Sequence, residues 1–287
     1  MRSDFAIYLI ELTKPRSIAL LLTTALGGMF IASQDFPSPA ILAFTLLGGA
    51  LAAGGANTLN CYFDLDLDRR MDRTAARPLP AGKIKPNQAL VFGLSLCIIS
   101  MLLLIVGTNP LSTALAAVGI LHYVVIYTLW LKRSSPWNIV FGGVAGAMPL
   151  LVGWTAVTEQ LSIWALWLGA IVFFWTPPHF WSLALLRRRE YALARIPVLP
   201  ITHGERESRR QILWYSVLLV ALTLAATPAG FASHLFFLAA SALGVVLLAY
   251  SIALFRIPTD RNAHRLYKYS TIYLALLFGV LIVDRIV

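Results

Sequence analysis

The sequence predicts an all-α, polytopic membrane protein with nine transmembrane helices. Composition is the first reason: 59% of the 287 residues are apolar and the mean hydropathy is +0.76, far above the range of soluble domains. The second reason is that the apolar runs are about 20 residues long and do not alternate, which fits helices and not barrel strands. No polar stretch is long enough for a separate domain, so we expect residues 1–287 to form a single transmembrane domain.

Nine apolar runs are predicted to span the membrane, and prolines or glycines mark most of the connections between them. No small-residue cleavage motif follows the first run, so we expect it to be retained as a helix. By residue number the runs are 17–34, 39–60, 88–107, 111–131, 137–157, 161–186, 211–229, 233–255 and 267–284.

Basic residues are concentrated in every second connection. Of the 23 lysines and arginines, all except Arg285 lie at residues 1–16, 61–87, 132–133, 187–210 and 256–268. The positive-inside rule therefore predicts a cytoplasmic N-terminus and a C-terminus outside. The same asymmetry explains the net charge of +10 and the pI near 9.9, so we expect no nucleic-acid partner.

Asn60, Asp64 and Asp68 follow one another at intervals of four residues at the end of the second apolar run. On a helix this spacing places the three side chains on one stripe, whereas Asp66 points away from it. Charged groups at membrane depth usually line a polar cavity, and three oxygen-bearing side chains suit Mg²⁺. The alternative is a solvated loop of mixed charge, but this does not explain a polar amide inside an apolar run.

Basic residues accompany the stripe on the same predicted face of the membrane. The four arginines that follow it are Arg69, Arg70, Arg73 and Arg77. Lys132 and Arg133, at the end of the fourth run, are candidate diphosphate contacts, and the alternative for them is a snorkelling pair at a helix end. The sequence therefore predicts a metal–diphosphate site at the mouth of a membrane cavity.

A second polar patch lies near the end of the sixth run. Pro177 and Pro178 stand together inside this run, and we expect them to break the helix and to border a cavity. His179 follows directly, so we interpret it as functional, although a lone histidine in an apolar helix is often a hydrogen-bonded core residue. The two patches would close over one cavity from opposite sides of the bundle.

Four segments between about residues 57 and 204 resemble segments of a known family. They occur in the same order and at sensible spacing, and the resemblance is specific because all four are in register. They resemble the UbiA-type intramembrane prenyltransferases, and among these the branch that farnesylates haem b. The segments are Asn60-x-x-x-Asp64-x-x-x-Asp68, Tyr127-Thr-Leu-Trp-Leu-Lys132-Arg133, the glycine-rich stretch from Asn138 to Trp154, and Pro178-His179-Phe180 with Ile196-Pro-Val-Leu-Pro200.

This resemblance implies a bundle of nine spans around a central cavity that is open to the membrane. It implies transfer of a farnesyl group from farnesyl diphosphate to a vinyl group of haem b, with Mg²⁺ as cofactor and haem O and diphosphate as products. The expected partners are these two substrates, the lipid bilayer and a downstream haem A synthase or assembly factors of a terminal oxidase. The expected location is the cytoplasmic (inner) membrane of a prokaryote.

The resemblance also implies roles for individual residues. The catalytic residues and metal ligands would be Asn60, Asp64 and Asp68, and a further metal ligand would be Glu190. The diphosphate would be bound by Arg73, Arg77, Lys132 and Arg133. The contacts to haem would come from His179 and Tyr127.

Three positions depart from the family's usual pattern. Aspartate is common where this chain has Glu190, glycine is common where it has Arg195, and glutamine is frequent where it has Thr176. The second carboxylate-rich motif of quinone-type relatives is largely absent, and His179 stands near its start. A symmetric site with two carboxylate motifs is therefore not expected.

Two other functions fit parts of the pattern. A prenyltransferase of the same fold that acts on an aromatic or quinone precursor would share the acid stripe, but not the segments around His179 and Ile196. An ion-coupled secondary transporter would also use broken helices and intramembrane acids. The sequence has no repeated pair of broken helices in its two halves, which disfavours the transporter.

Overall fold

The computed structural model describes residues 2–33 and 36–286, except the side chains of residues 2, 3 and 286. Within these residues the secondary structure is entirely helical. Nine helices are long, and we number them in chain order: α1 Pro15–Ala32, α2 Pro39–Phe63, α3 Pro86–Gly107, α4 Pro110–Ser134, α5 Asn138–Thr158, α6 Ile163–Leu186, α7 Gly204–Leu224, α8 His234–Arg256 and α9 Asp260–Ile286. The shorter helices are Arg2–Leu12, Leu65–Asp68, Asp72–Ala75, Arg188–Leu193 and Leu199–Thr202.

The nine long helices correspond one to one to the nine predicted runs, although the predicted end of the first run, residue 34, lies outside the described residues. Eight of them are long and apolar enough to cross a membrane. The exception is α7, which begins at Gly204, seven residues before the predicted start, so that Glu205, Arg206, Glu207, Arg209 and Arg210 fill its first two turns. The protein is therefore a multi-pass membrane protein in which α7 has a polar beginning.

Prolines set the starts of four long helices. Pro15, Pro39, Pro86 and Pro110 each occupy the first helical position, where a missing N–H costs no hydrogen bond and the fixed φ angle suits the helix. Before the last of these, the Asn109 side chain accepts a hydrogen bond from the backbone N–H of Ser112. These signals explain why the predicted boundaries agree closely with the observed ones at these starts.

The long helices pack in chain order into a closed ring, because each contacts the next and α9 contacts α1. Further contacts cross the ring, and the most extensive of these join α1 to α5 and α6 to α9. The crossing of α1 and α5 depends on Gly28 and Gly153: a Cβ atom would lie 2.3 Å from the carbonyl oxygen of Leu150 and 2.1 Å from that of Ala25, respectively. The backbones of α1 and α5 can approach this closely only because both positions are glycine.

The predicted break at Pro177 and Pro178 is wrong. Helix α6 runs without interruption from Ile163 to Leu186. The two prolines withhold two backbone donors, but without water to compete, a membrane helix keeps its remaining hydrogen bonds. Directly before the prolines, the hydroxyl of Thr176 donates to the carbonyl of Val172 over 2.9 Å.

The basic connections meet at one end of the bundle, as the charge map predicts. Contacts between connections join Lys14 to Asn60, Arg133 to Asp66, Arg73 to Glu190 and Arg188 to Asp260. We call this end the basic end, and the candidate site lies there.

Candidate functional site

A polar cavity of about 150 Å³ opens at the basic end, and we call it the first cavity. Both patches singled out in the sequence contribute to it, so the structure brings them together. Its lining consists of Lys14, Asn60, Asp64, Asp68, Met71, Arg73, Arg77, Tyr123, Tyr127, Lys132, Asn138, Phe180, Tyr191, Ile196 and Val198. The volume is below the range of pockets for drug-sized molecules, so it fits a small polar group such as diphosphate and not a farnesyl chain or a porphyrin.

The acid stripe forms one wall of the first cavity, and its three side chains are almost completely buried. Helix α2 ends at Phe63, but the backbone continues its pattern: the N–H of Asp64 bonds to the carbonyl of Asn60 at 2.9 Å, and that of Asp68 to the carbonyl of Asp64 at 2.8 Å. The helical spacing is therefore kept beyond the end of α2, which is why the three residues share one wall.

Each acid of the stripe is paired with a cation from another part of the chain or from the following loop. Lys132 forms a salt bridge with Oδ2 of Asp64, and Nη1 of Arg77 lies 3.0 Å from Oδ2 of Asp68. The amide nitrogen of Asn60 also donates to Oδ2 of Asp64, at 2.8 Å. These contacts balance the charge of two buried carboxylates, which otherwise carry a high desolvation cost.

The other carboxylate oxygen of Asp64, Oδ1, is buried and has no hydrogen-bond partner among the described residues. Nη2 of Arg133 lies 3.9 Å from it, too far for a hydrogen bond. A buried, unpartnered carboxylate oxygen is costly unless a cation or a water molecule meets it. This oxygen, with the side-chain oxygens of Asn60 and Asp68 in the same wall, fits a hard divalent cation.

The described residues contain no group of three or more His, Cys, Asp or Glu side chains that could hold a metal ion by themselves. A metal at the acid stripe would therefore take the amide oxygen of Asn60 in addition to the two carboxylates. Mg²⁺ usually completes such a sparse protein shell with water and substrate phosphate oxygens. The arrangement is suited to a metal that arrives with a phosphate-bearing substrate.

Lys14 is a cavity residue to which the sequence analysis assigned no role. Its ammonium group donates to the amide oxygen of Asn60 over 2.7 Å. Its backbone adopts the left-handed conformation, with φ 56°, directly before Pro15. For a residue with a Cβ this conformation costs on the order of 1 kcal/mol, and such strain is concentrated at functional sites. The proline, which disfavours a helical conformation at the preceding residue, is the available sequence signal.

A second feature absent from the prediction is a π-helical stretch, His122–Leu131, inside α4. Within it the hydroxyl of Thr128 donates to the carbonyl of Tyr123 at 2.8 Å and accepts from the amide nitrogen of Asn60 at 3.0 Å. π-helical segments are rare and frequently occur at functional sites. This one fixes the orientation of the Asn60 amide, so that its oxygen faces Lys14.

Tyr127 lines the first cavity. Its ring stacks on that of Tyr123, with centroids 5.6 Å apart. Gly142 of α5 makes room for it, since a Cβ atom there would lie 2.8 Å from Cδ2 of the tyrosine. A contact of Tyr127 with haem stays a prediction.

Arg73 and Glu190 form a pair beside the first cavity. Nε of Arg73 lies 3.5 Å from Oε2 of Glu190, and Arg187 lies 3.7 Å from the other oxygen. Arg73 lines the cavity, whereas Glu190 does not. The structure therefore places Glu190 behind a cavity cation and not beside the acid stripe, and its role as a metal ligand stays a prediction. The neighbouring Tyr191 does line the cavity, and burial raises the pKa of its hydroxyl.

Arg133 differs from the other predicted diphosphate contacts, because it does not line the first cavity. Its guanidinium holds Asp66 with two hydrogen bonds, of 2.9 and 2.6 Å, and also donates to the carbonyl of Phe63. The Arg133 hydrogen bond lowers the pKa of the Asp66 carboxyl, so this pair is ionised at neutral pH. Asp66 lies off the stripe, as the helical spacing predicts.

His179 lies on α6 and contacts α9. Its Nδ1 is 2.9 Å from the hydroxyl of Ser270, and its ring stacks on Trp175 and tilts against Tyr267 at centroid distances of 4.3 and 4.8 Å. It does not line the first cavity. These contacts correspond to the alternative of a hydrogen-bonded core histidine.

Comparisons with known proteins identify the family to which the chain belongs. Residues 20–277 match the model of the UbiA prenyltransferase family. The chain is 47% identical to the protohaem IX farnesyltransferase of Gloeobacter violaceus, over 96% of this chain and 91% of that protein, and 48% identical to that of a Nostoc species, over 96% and 87%. The enzyme of the same name from Chloroflexus aurantiacus is 47% identical over 97% of this chain, but the chain spans about half the length of that protein.

Solved structures agree with the fold. A digeranylgeranylglyceryl phosphate synthase superposes with a TM-score of 0.83 at 19% identity, with 99% of both chains covered. A UbiA homologue from Archaeoglobus fulgidus, bound to GPP and Mg²⁺, superposes with a TM-score of 0.72 at 16% identity, over 96% of this chain and 99% of that one. The predicted resemblance is thereby confirmed, and the chain belongs to the UbiA prenyltransferase family.

Proposed function

We propose that the protein is a haem O synthase, which transfers a farnesyl group from farnesyl diphosphate to a vinyl group of haem b. The observation that carries the proposal is the first cavity, which is lined by Asn60, Asp64 and Asp68 and by four cations. Hard oxygen donors and cations together are what a metal–diphosphate group requires. The acceptor is inferred from relatives of 47% and 48% identity that are named protohaem IX farnesyltransferase.

The cations of the first cavity bind and neutralise the diphosphate. Lys14, Arg73, Arg77 and Lys132 line it from three different segments, so they surround a group that enters from the basic end. Asn60, Asp64 and Asp68 would hold Mg²⁺, which when bound stabilises the negative charge that develops on the departing diphosphate. The Archaeoglobus homologue of the same fold is described as bound to GPP and Mg²⁺.

The proposed farnesyl transfer begins at C1 of the farnesyl group. The bond between C1 of the farnesyl group and the diphosphate oxygen breaks, and its electron pair leaves with the diphosphate. The π electrons of the vinyl group form the new bond to C1, and the positive charge moves to the carbon next to the macrocycle. Water adds to this carbon and loses a proton, which gives a hydroxyl group. Tyr127 and Phe180 line the first cavity, and their rings can stabilise the transient allylic cation.

We further propose that the basic end faces the cytoplasm of a prokaryotic cell and that the bundle spans the inner membrane. The lysines and arginines of alternate connections support this orientation. The soluble diphosphate would then enter and leave on the cytoplasmic side. The apolar parts of both substrates would stay in contact with the bilayer, and haem O would pass from the membrane to a haem A synthase or to assembly factors of a terminal oxidase.

One experiment distinguishes this function from its two alternatives. Purified protein is incubated with farnesyl diphosphate, Mg²⁺ and either haem b or 4-hydroxybenzoate, and the products are analysed by mass spectrometry. We expect a hydroxyethylfarnesyl adduct of haem b only. A prenylated benzoate would support a quinone-type enzyme. Absence of any product, together with ion-coupled uptake into proteoliposomes, would support a transporter, although the continuous helix α6 removes the broken helix on which that hypothesis depended.

A further inference from the structure

A second cavity, of about 180 Å³, lies at the basic end beside the first. Lys132 and Ile196 line both cavities, so they form a shared wall. The remaining residues of its lining are Asp66, Leu67, Arg70, Arg133, Ala194 and Arg195. The function proposed above uses the first cavity only and leaves the second without an occupant.

The second cavity carries an excess of positive charge. Four of its lining residues are cations and one is an acid. The acid, Asp66, is bound by Arg133, and Lys132 is paired with Asp64 of the first cavity. Arg70 and Arg195 form no salt bridge within the part of the chain that the structure describes. Two guanidinium groups are therefore available to bind an anion.

The backbone of Arg195 gives a second, independent indication. Arg195 follows the helix Arg188–Leu193, and the turn has the hydrogen bonds of a Schellman motif: Ile196 N–H to the carbonyl of Tyr191 and Arg195 N–H to that of Ala192, both at 3.0 Å. Such turns require a residue with positive φ, which is usually glycine, and here φ of Arg195 is 56°. Arginine is unfavourable at this position of the turn, where the resembled family commonly has glycine, so this chain places a guanidinium group there at a cost in backbone strain.

We propose that the second cavity binds the two carboxylates of the acceptor, which are the propionates of haem b. The inference rests on the proposed function and deepens it. A carboxylate pairs with a guanidinium through two parallel hydrogen bonds and needs no metal. Arg70 and Arg195 supply one guanidinium for each propionate. Leu67, Ala194 and Ile196 offer an apolar surface to the adjoining edge of the macrocycle.

Diphosphate suits the second cavity less well than a carboxylate does. The only acid there, Asp66, is already neutralised by Arg133, so no free oxygen donors remain for Mg²⁺. The geometry of haem b also requires two separate sites, since its propionates and vinyl groups stand on opposite edges of the ring. Two cavities that share the wall of Lys132 and Ile196 provide this separation while keeping both substrates close together.

The test compares haem b with its dimethyl ester, which lacks the two negative charges. Binding of each is measured by absorbance titration, without farnesyl diphosphate, in Arg195→Gly and Arg70→Gln. Glycine suits the positive φ at 195, so this variant removes the guanidinium without disturbing the turn. Glu159→Gly is the matched control, because Glu159 also has φ 56° but ends α5, away from the second cavity. Arg206→Gln controls for the loss of an exposed charge on α7.

We expect the wild-type protein to bind haem b roughly 10-fold or more tightly than the ester. Arg195→Gly and Arg70→Gln should weaken binding of haem b toward that of the ester and leave the ester unchanged, whereas both controls should bind as the wild type does. Equal affinity of haem b and ester in the wild type would overturn the inference. A loss of affinity in Arg195→Gly and Arg70→Gln that is the same for haem b and for its ester would also overturn the inference.

Two further measurements distinguish the propionates from other anions that could occupy the second cavity. If the variants raise the Michaelis constant for farnesyl diphosphate and leave haem binding intact, the second cavity belongs to the diphosphate and the inference fails. If the preference for haem b over its ester is present in phosphatidylcholine vesicles but lost in phosphatidylglycerol vesicles, anionic lipid headgroups occupy the cavity in place of the propionates and the inference also fails. The titration needs no turnover. Failure of the proposed function would instead appear as the absence of farnesylated product in the wild-type protein.

Discussion

The ammonium group of Lys14 lies 2.7 Å from the amide oxygen of Asn60 and thereby joins the start of α1 to the acid stripe of α2. This oxygen is one of the three that we propose as metal ligands. Lys14 therefore occupies a position from which it must turn away before Asn60 can bind a metal. We therefore expect the ammonium group to contact the diphosphate once the metal is bound.

Removal of the Lys14 ammonium group should weaken binding of farnesyl diphosphate more than binding of the acceptor. We expect Lys14→Met to raise the apparent Michaelis constant for farnesyl diphosphate roughly 10-fold or more and to leave that for haem b nearly unchanged, because a charge-assisted hydrogen bond is lost. Arg16→Met is the control, since Arg16 is an exposed cation two residues away. Equal effects of the two substitutions on farnesyl diphosphate would contradict a specific role of Lys14.

The adjacent residues Lys132 and Arg133 should affect different substrates. Lys132 lines the first cavity and pairs with Asp64, whereas Arg133 lines only the second and pairs with Asp66. We expect Lys132→Gln to raise the apparent Michaelis constant for farnesyl diphosphate and Arg133→Gln to raise that for haem b. Steady-state rates with one substrate varied at a time provide the measurement. The opposite pattern would assign the two cavities to the opposite substrates.

His179 is expected to hold α6 against α9. His179→Ala removes the hydrogen bond to Ser270 and the ring between Trp175 and Tyr267, which should cost about 1–3 kcal/mol of stability. His179→Asn can keep the hydrogen bond and should be milder. Thermal unfolding measures the stability, and haem titration tests the alternative. A changed Soret band in both variants would instead support the predicted ligation of haem iron by His179.

Close packing of α1 on α5 should make Gly153 intolerant of a methyl group. In Gly153→Ala the new Cβ would lie 2.1 Å from the carbonyl oxygen of Ala25, so the helices must separate. Overpacking of this kind costs about 1–3 kcal/mol, and the thermal unfolding temperature should fall. Gly279→Ala in α9 is the control, because a Cβ atom there meets no atom within 4 Å. A similar decrease in both variants would mean that the crossing of α1 and α5 is not what the substitution disturbs.

The sequence was sufficient to predict the helices and one wall of the site. Composition and run length identify membrane helices because the bilayer permits few other structures. The interval of four residues from Asn60 to Asp64 and Asp68 identifies the acid stripe because the helical period is fixed. The positions of the basic connections followed from their alternation along the chain.

Other features depend on contacts between distant segments and were therefore missed. Nothing local to Lys14 indicates that it reaches Asn60, 46 residues away. The separation of Lys132 from Arg133 into two cavities depends on which acid each one meets. The prediction of a break at Pro177 is wrong because the rule that proline interrupts a helix comes from soluble proteins. It does not hold where water cannot replace the lost hydrogen bonds. The preference for glycine at position 195 became explicable only with the positive φ of Arg195.

The central claim is that the acid stripe holds the metal required for farnesyl transfer. Asp64 and Asp66 provide a matched pair of carboxylates for its test, because they are two residues apart and only Asp64 lines the first cavity. Asparagine is nearly isosteric with aspartate, so the substitutions change charge and leave packing intact. Thermal unfolding of each variant establishes that it is folded.

The most direct measurement is the rate of haem O formation at saturating Mg²⁺ by Asp64→Asn, compared with Asp66→Asn and the wild-type protein. We predict that Asp64→Asn lowers the rate roughly 100-fold or more, since a metal ligand at the leaving group is lost, and that Asp66→Asn retains most of the activity. A folded Asp64→Asn protein with a rate close to that of the wild type would contradict the proposed metal site.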